Sequence, residues 1–394
     1  MPGERLVPHA RRARARLAPP LAAVRAAGSR SRQLGQTFIL LVLLLAVALG
    51  GIIYSNARPA VSNAARDKIT NAALVQARDA LLGRAAADSN LPGSLPCPDL
   101  VTNFGNNVPN DGVADLLVGN NCPSYLGRLP WRTLGLADLR DGSGERLWYA
   151  LAPNFRDDNS AQPLNSQTAG QLSVTGTTSA NNVVAIVFAA GSPLPGQRRD
   201  GANQNTVSNY LEGDNANGDS VYVTGPDTAS FNDRMLYITG TQLFAVVGKR
   251  VLTELRGVAS GTAMGLTAYY SNPSLHSYPW AADPNPSDPK LAGQQSNLRM
   301  SGAFPYNDSN LPIPPDAYTW LSSNGWFNLI TYSVAQNFTP NTKAAYPQSC
   351  GSAGAGCLTV NGFNRAQAAL SLTLASGEVI SVAVCSSVGG ASCP

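Results

Sequence analysis

Six cysteines, three aspartates in one short stretch and a Ser-x-x-Lys pair are the residues here with the most chemistry to offer. Cys97, Cys122, Cys350, Cys357, Cys385 and Cys393 are even in number, and no two show the two-residue spacing of a zinc knuckle. Disulfides therefore account for them better than a metal does, and pairing between neighbours (Cys97 with Cys122, Cys350 with Cys357, Cys385 with Cys393) is the simplest of several possible connectivities. Asp99, Asp111 and Asp115 lie in or beside the loop the first pair would close. Asn110-Asp111-Gly112-Val113-Ala114-Asp115 is similar to the end of an oxygen-rich calcium loop, with Pro109 where a third-position ligand would stand. Two readings follow: a calcium site, or a turn held by its own side-chain hydrogen bonds. Ser287-Asp288-Pro289-Lys290 has the spacing of acylating serine enzymes, but it sits in a Pro-rich stretch where the helical turn that aligns such a pair is not expected. His276, near Ser277 and Asp283, reads as a loop histidine, and Asp233 with Arg234 as a locally paired turn. His9 is the other histidine, which leaves no paired-histidine chemistry in the body of the chain. The expectation is a non-enzymatic protein with no resident cofactor, calcium being the single candidate.

Positioning these residues requires a core, and 394 residues with 44% apolar and 13% charged side chains can supply one. Residues 1–34 hold eight Arg and one Glu; the rest holds 20 basic and 23 acidic side chains (28 less 8, 24 less 1), so no folded basic face is offered to nucleic acid. From Phe38 to Tyr54 runs FILLVLLLAVALGGIIY, seventeen uncharged residues that as a helix span about 26 Å, nearly a bilayer core. The Arg-rich flank puts the N-terminus in the cytoplasm. The sequence thus predicts a single-pass inner-membrane protein: a basic cytoplasmic leader at 1–37, a transmembrane helix at 38–54, and a periplasmic or extracellular head. A signal peptide cleaved after Ser55-Asn56-Ala57 is the alternative. Helical sequence continues to about residue 87, with Val61, Ala65, Ile69, Ala72, Val75 and Leu82 on one arc, until Asn90-Leu91-Pro92-Gly93 breaks it.

These features resemble the bacterial type IV pilin-like proteins, including the pseudopilins of type II secretion. Gly35-Gln36-Thr37-Phe38-Ile39-Leu40 keeps the Gly, Thr and Ile of the prepilin motif, with Gln36 in place of Phe and Leu40 in place of the fifth-position acid. In the head, Asp141, Gly144 and Tyr149 fit the pseudopilin pattern Asp-x-x-Gly-x-x-x-x-Tyr, with Ser143 replacing its Trp. The resemblance covers roughly residues 30–155. It implies processing between Gly35 and Gln36, a pilin-like head, and partners among other pilin-like or envelope subunits. Since tip pseudopilins lack the fifth-position acid, it also implies a place at a fibre tip. A tethered binding protein or adhesin that never assembles is the alternative function.

Internal comparison adds a repeat. Ser94-Leu95-Pro96-Cys97 recurs as Ser277-Tyr278-Pro279-Trp280, and Tyr149 to Phe155 recurs as Tyr332 to Phe338, both 183 residues on. Leu172 to Gly176 matches Leu358 to Gly362 at 186, as does Val183 to Gly191 with Ala369 to Gly377. The expected fold class is α+β: the long N-terminal transmembrane helix continues into a pilin-like head that is duplicated, a helix plus a small antiparallel sheet occurring twice, at 55–240 and 241–394. Phe244, Val247, Val251, Leu255 and Val258 predict the second helix, with Thr241 as its N-cap. Val221–Val223 and Met235–Ile238 read as strands finishing the first sheet. Nine prolines in 273–315 predict a stretch without regular structure. Tyr269, Tyr270, Tyr278, Trp280, Tyr306, Tyr318, Trp320 and Trp326 offer either a contact surface or core packing.

Overall fold

Helix α1 occupies 62–87; the described residues are 62–102, 108–158, 163–257, 264–345, 350 and 356–385 of a computed structural model. Alanine and leucine dominate α1 and proline is absent from it, so the helical backbone is cheap to form. Its buried stripe is Thr70, Ala73, Leu74, Ala77, Leu81 and Ala85, at three- and four-residue steps. This corrects the expected face. Ile69 and Val75 are 53% and 40% exposed, because the face packed on the rest of the fold is the one that carries Ala73, Leu74, Ala77, Leu81 and Ala85.

The membrane expectation is corrected as well. Among the described residues no helix is long and apolar enough to cross a membrane. α1 carries Arg66, Asp67, Lys68, Arg78, Asp79 and Arg84, charges that suit a solvated helix packed on a head. The fold class built on a transmembrane helix entering the head, and the single-pass inner-membrane localisation, are overturned by this finding. Leader, processing residues Gly35 and Gln36, and the apolar run 38–54 lie outside the described residues.

Strands β1 (Leu126–Arg128), β2 (Trp148–Leu151), β3 (Leu172–Gly176), β4 (Ala180–Ala189), β5 (Val221–Thr224) and β6 (Arg234–Thr239) form one sheet. β4 is its axis: from Val183 on it is buried on both faces, an unbroken Val-Val-Ala-Ile-Val-Phe run of the kind a central strand needs. Its C-terminal half pairs antiparallel with β2 and β6, and its start pairs with β3. β5 adds parallel to β3, which makes the sheet mixed and corrects the expected small antiparallel one. After helices α2 (Gly240–Arg256) and α3 (Gly265–Ser271) come β7 (Ser301–Ala303), α4 (Pro315–Ser323), β8 (Ile330–Val334), β9 (Leu358–Val360), β10 (Phe363–Ala366), β11 (Ala368–Thr373) and β12 (Val379–Val384). The second main sheet is antiparallel in the order β12-β11-β8-β7, and β9 pairs with β10. β7 falls inside 273–315, so that Pro-rich stretch does contain a strand.

The two main sheets share particular hydrogen bonds. Leu95 N–H donates to the Phe155 carbonyl (2.7 Å), and 183 residues later Tyr278 N–H donates to Phe338 (2.8 Å). The Tyr149 hydroxyl donates to the Pro96 carbonyl (3.3 Å), and the Tyr332 hydroxyl to Pro279 (3.0 Å). Ala152 N–H donates to Val184 (2.8 Å), and Ala335 N–H to Gln367 (2.9 Å). Tyr149 pairs with Val187 across β2 and β4, as Tyr332 does with Leu370 across β8 and β11. The spacing of β4 to β11 is therefore 183, where the sequence suggested 186.

α2 lies between the sheets, burying Leu243, Phe244, Val247, Val251, Leu252 and Leu255. The Phe244 ring is 6.0 Å from Phe155 on one side and 6.0 Å from Trp326 on the other. A Cβ on Gly248 would stand 2.8 Å from Leu372 Cδ2, so the glycine sets how closely α2 approaches β11. Its N-cap is Thr239, in a capping box with Gln242, two residues before the expected Thr241; Val258 lies outside the described residues. Arg250 of α2 donates from Nη1 to the carbonyls of Ala86 (2.6 Å) and Asp88, placing a cation at the C-terminal end of α1. Disulfides join Cys97 to Cys122 and Cys350 to Cys357; Cys385 is disulfide-bonded too, while Cys393 lies outside the described residues.

Replacing either repeated tyrosine by phenylalanine leaves a buried carbonyl without its donor. Tyr332→Phe and Tyr149→Phe are each expected to lower the stability measured by urea unfolding by about 1 kcal/mol, the shorter Tyr332 bond costing more. No loss in either variant would show that these bonds do not hold the sheets.

Candidate functional site

The connection from β1 to β2 contains the turn at Asp141. Its buried carboxylate accepts Ser143 N–H (2.8 Å) and Glu145 N–H (3.0 Å) on Oδ1, and Gly191 N–H (2.9 Å) on Oδ2. Gly144 has φ +86°, a conformation that favours glycine. Gly142 N–H donates to Thr70 Oγ1 of α1 (2.9 Å), and a Cβ on Gly142 would come within 2.3 Å of the Arg66 carbonyl oxygen. The turn thus clamps α1 to the first sheet, and Tyr149 ties β2 to the segment that follows α1. Beside this junction is a polar cleft of about 310 Å³. In it Arg234 pairs with Asp67 (2.7 Å) and with Asp227 (2.9 Å), not with Asp233 as expected.

Asp99, Asp111 and Asp115 do come together. Asp99, 1% exposed, accepts Asn110 N–H on Oδ1 (2.8 Å) and Gly112 N–H on Oδ2 (2.7 Å). Asp115 Oδ2 accepts Leu100 N–H (2.9 Å), and Asp111 Oδ1 accepts Val113 N–H (2.8 Å). These carboxylates thus organise loop amides that have no strand partner. Among the described residues no group of three or more His, Cys, Asp or Glu could hold a metal ion. Burial pushes Asp99 and Asp115 up to about 6, the neighbouring carboxylates adding to the shift and the amide donors opposing it.

The remaining candidates stay apart. Ser287 and Lys290 are exposed, and Asp288 accepts Lys290 N–H (2.9 Å) in a short turn. Asp283 pairs with Arg299 (3.5 Å). Six of the eight aromatics are buried, and half-buried Tyr306 stacks 4.4 Å from Phe327, so they are core. Sequence reasoning missed the buried pair Glu212 and Asp233. Asp233 Oδ2 accepts Glu212 N–H (2.9 Å), and burial together with the Glu212 carboxylate raises the Asp233 pKa. No spacing rule links residues twenty-one apart in irregular chain. Comparison with known protein families, with characterised proteins and with solved structures gives no match.

Asp99 and Asp115 hold a proton more readily in the folded state than in the unfolded chain, where a carboxyl titrates near about 3.9. Their contribution to stability is therefore complete below about pH 4 and is lost as pH rises through about 6. Asp115→Asn keeps an acceptor for Leu100 and removes the titration. Its urea midpoint relative to the native chain is expected to climb between about pH 4 and about pH 7; a gap independent of pH would contradict this.

Proposed function

We propose that the chain is a non-enzymatic, pilin-like subunit of a type IV pilus or type II secretion type assembly, working by binding other subunits. The observation that carries this reading is the division of labour on α1. One face is fixed to the head by the Asp141 turn and by Ala73, Leu74, Ala77, Leu81 and Ala85. The opposite side leaves Ala65, Ile69, Ala72 and Val75 exposed at helical spacing, an apolar stripe that a neighbouring subunit can cover. The Asp-x-x-Gly-x-x-x-x-Tyr turn supports the pilin-like assignment, since its three named residues join helix, turn and sheet as one unit. Leu40, standing where the family has an acid, supports a tip position: it cannot neutralise the amine of an adjacent subunit, so an end site suits it best.

Immunogold labelling of fibres sheared from the native cells is the test. Label at fibre ends is expected, and its absence from every fibre would overturn the assignment. Ile69→Glu together with Val75→Glu is expected to abolish labelling while changing stability by no more than about 0.5 kcal/mol per site, as exposed positions allow.

A further inference from the structure

Arg128 ends β1 with 5% of its surface exposed. Its guanidinium lies 4.0 Å from the ring centroid of Trp148 and 4.2 Å from that of Tyr210. Nη1 donates to the Arg146 carbonyl (3.0 Å), while Nε is buried without a partner. Burial pushes its pKa down to about 10, which leaves the group charged at neutral pH. Besides the two rings and that carbonyl, only the Tyr210 hydroxyl and the more distant Glu145 carboxylate favour the charge, and a closer anion would stabilise this buried cation further.

The surroundings show where that anion would come from. Arg128 lines an open cleft of about 480 Å³ together with Arg140, Arg146, Arg199, Glu145 and Tyr210. The other cations are matched: Arg140 (2.7 Å) and Arg146 (3.0 Å) share Asp138, and Arg199 reaches Glu145 (3.3 Å). Arg128 has no carboxylate within ion-pair distance among the described residues, and four guanidinium groups face two carboxylates. A guanidinium matches the planar, two-oxygen geometry of a carboxylate. The cleft is larger than a lone inorganic ion fills and lies in the range of small-molecule sites.

We propose that this cleft binds an organic carboxylate, whose oxygens accept from the side of the Arg128 guanidinium that faces the cleft and whose carbon body lies along Tyr210. Such binding does not depend on whether the chain enters a fibre. The carboxylate can belong to a small free acid or to an acidic side chain of a partner. Calorimetric titration of the full chain with succinate, with a doubly capped glutamate and with inorganic phosphate tests it. Saturable binding of one of the two carboxylates is expected, about tenfold tighter than phosphate. Preference for succinate assigns a free acid, and preference for the capped glutamate assigns a partner side chain. No saturable carboxylate binding up to about 10 mM, or phosphate binding as tightly, would overturn the proposal. Arg128→Lys is expected to weaken the carboxylate by about tenfold, the worth of one charge-assisted hydrogen bond; undiminished binding would sink it. Should that variant fail to fold, Arg140→Gln at the exposed edge is expected to weaken binding about threefold through lost long-range attraction, with no change counting against the site.

Discussion

Helix α2 has to satisfy two sheets at once, and most of the architecture is arranged around that demand. Its buried Leu243, Phe244, Val247, Val251, Leu252 and Leu255 contribute roughly 1.5–3 kcal/mol each on burial, a sum comparable with the whole net stability of an ordinary domain. Since that face is divided between β4 and β6 on one side and β11 and β12 on the other, removing either sheet would expose it. The two sheets are therefore one cooperative body, in keeping with a single compact unit from residue 63 onward. The details follow from the same constraint. Thr239 ends β6 and caps α2 in one residue, so no loop intervenes, and Arg250 spends its charge on the end of α1, extending the shared helix to a third neighbour.

Irregular chain is handled by a different device. With 37 glycines and 28 prolines, long stretches have amides that no strand can receive. Buried aspartates accept them: Asp88 takes Asn90 and Leu91, Asp99 takes Asn110 and Gly112, and Asp141 takes Ser143, Glu145 and Gly191. Acidic residues clustered in such loops are thus structural acceptors first. The arginine cleft differs because Arg128 Nε has been taken out of water without being given a partner.

What the sequence disclosed follows from which forces are local. The apolar run of β4 and the three-four spacing of α2 were readable because period and burial coincide there. The repeated Tyr, Pro and Phe positions were readable because one constant spacing joins residues that bond to each other. The face of α1 was not, since alanine is compatible with either side of a helix and the deciding feature is the close approach of Gly142. Neither was the parallel pairing of β3 with β5, which depends on how the chain returns after β4 across the irregular stretch 190–220. Thr239 takes the cap in place of the expected Thr241 because β6 runs directly into α2, so the last strand residue also serves the helix. At the candidate sites, Asp99, Asp111 and Asp115 were found by their spacing while the amides they hold were not. Arg128 carried no sequence signal at all, because its burial comes from Trp148 and from Tyr210, which is distant in the chain.

The Cys97–Cys122 bond sits ten residues beyond the end of α1, at the first point where the chain enters the sheet layer. Tension applied to the chain through its leading helix would run along that route. Once the Arg250 bonds to the end of α1 and the ion pair of Arg84 with Asp157 (2.9 Å) yield, the bridge is the first link that force cannot open by breaking hydrogen bonds. It withholds the 25-residue step it spans, about 85 Å of extended chain, from the extension of the molecule. The disulfide thereby acts as a length limiter under load as well as a brace at rest.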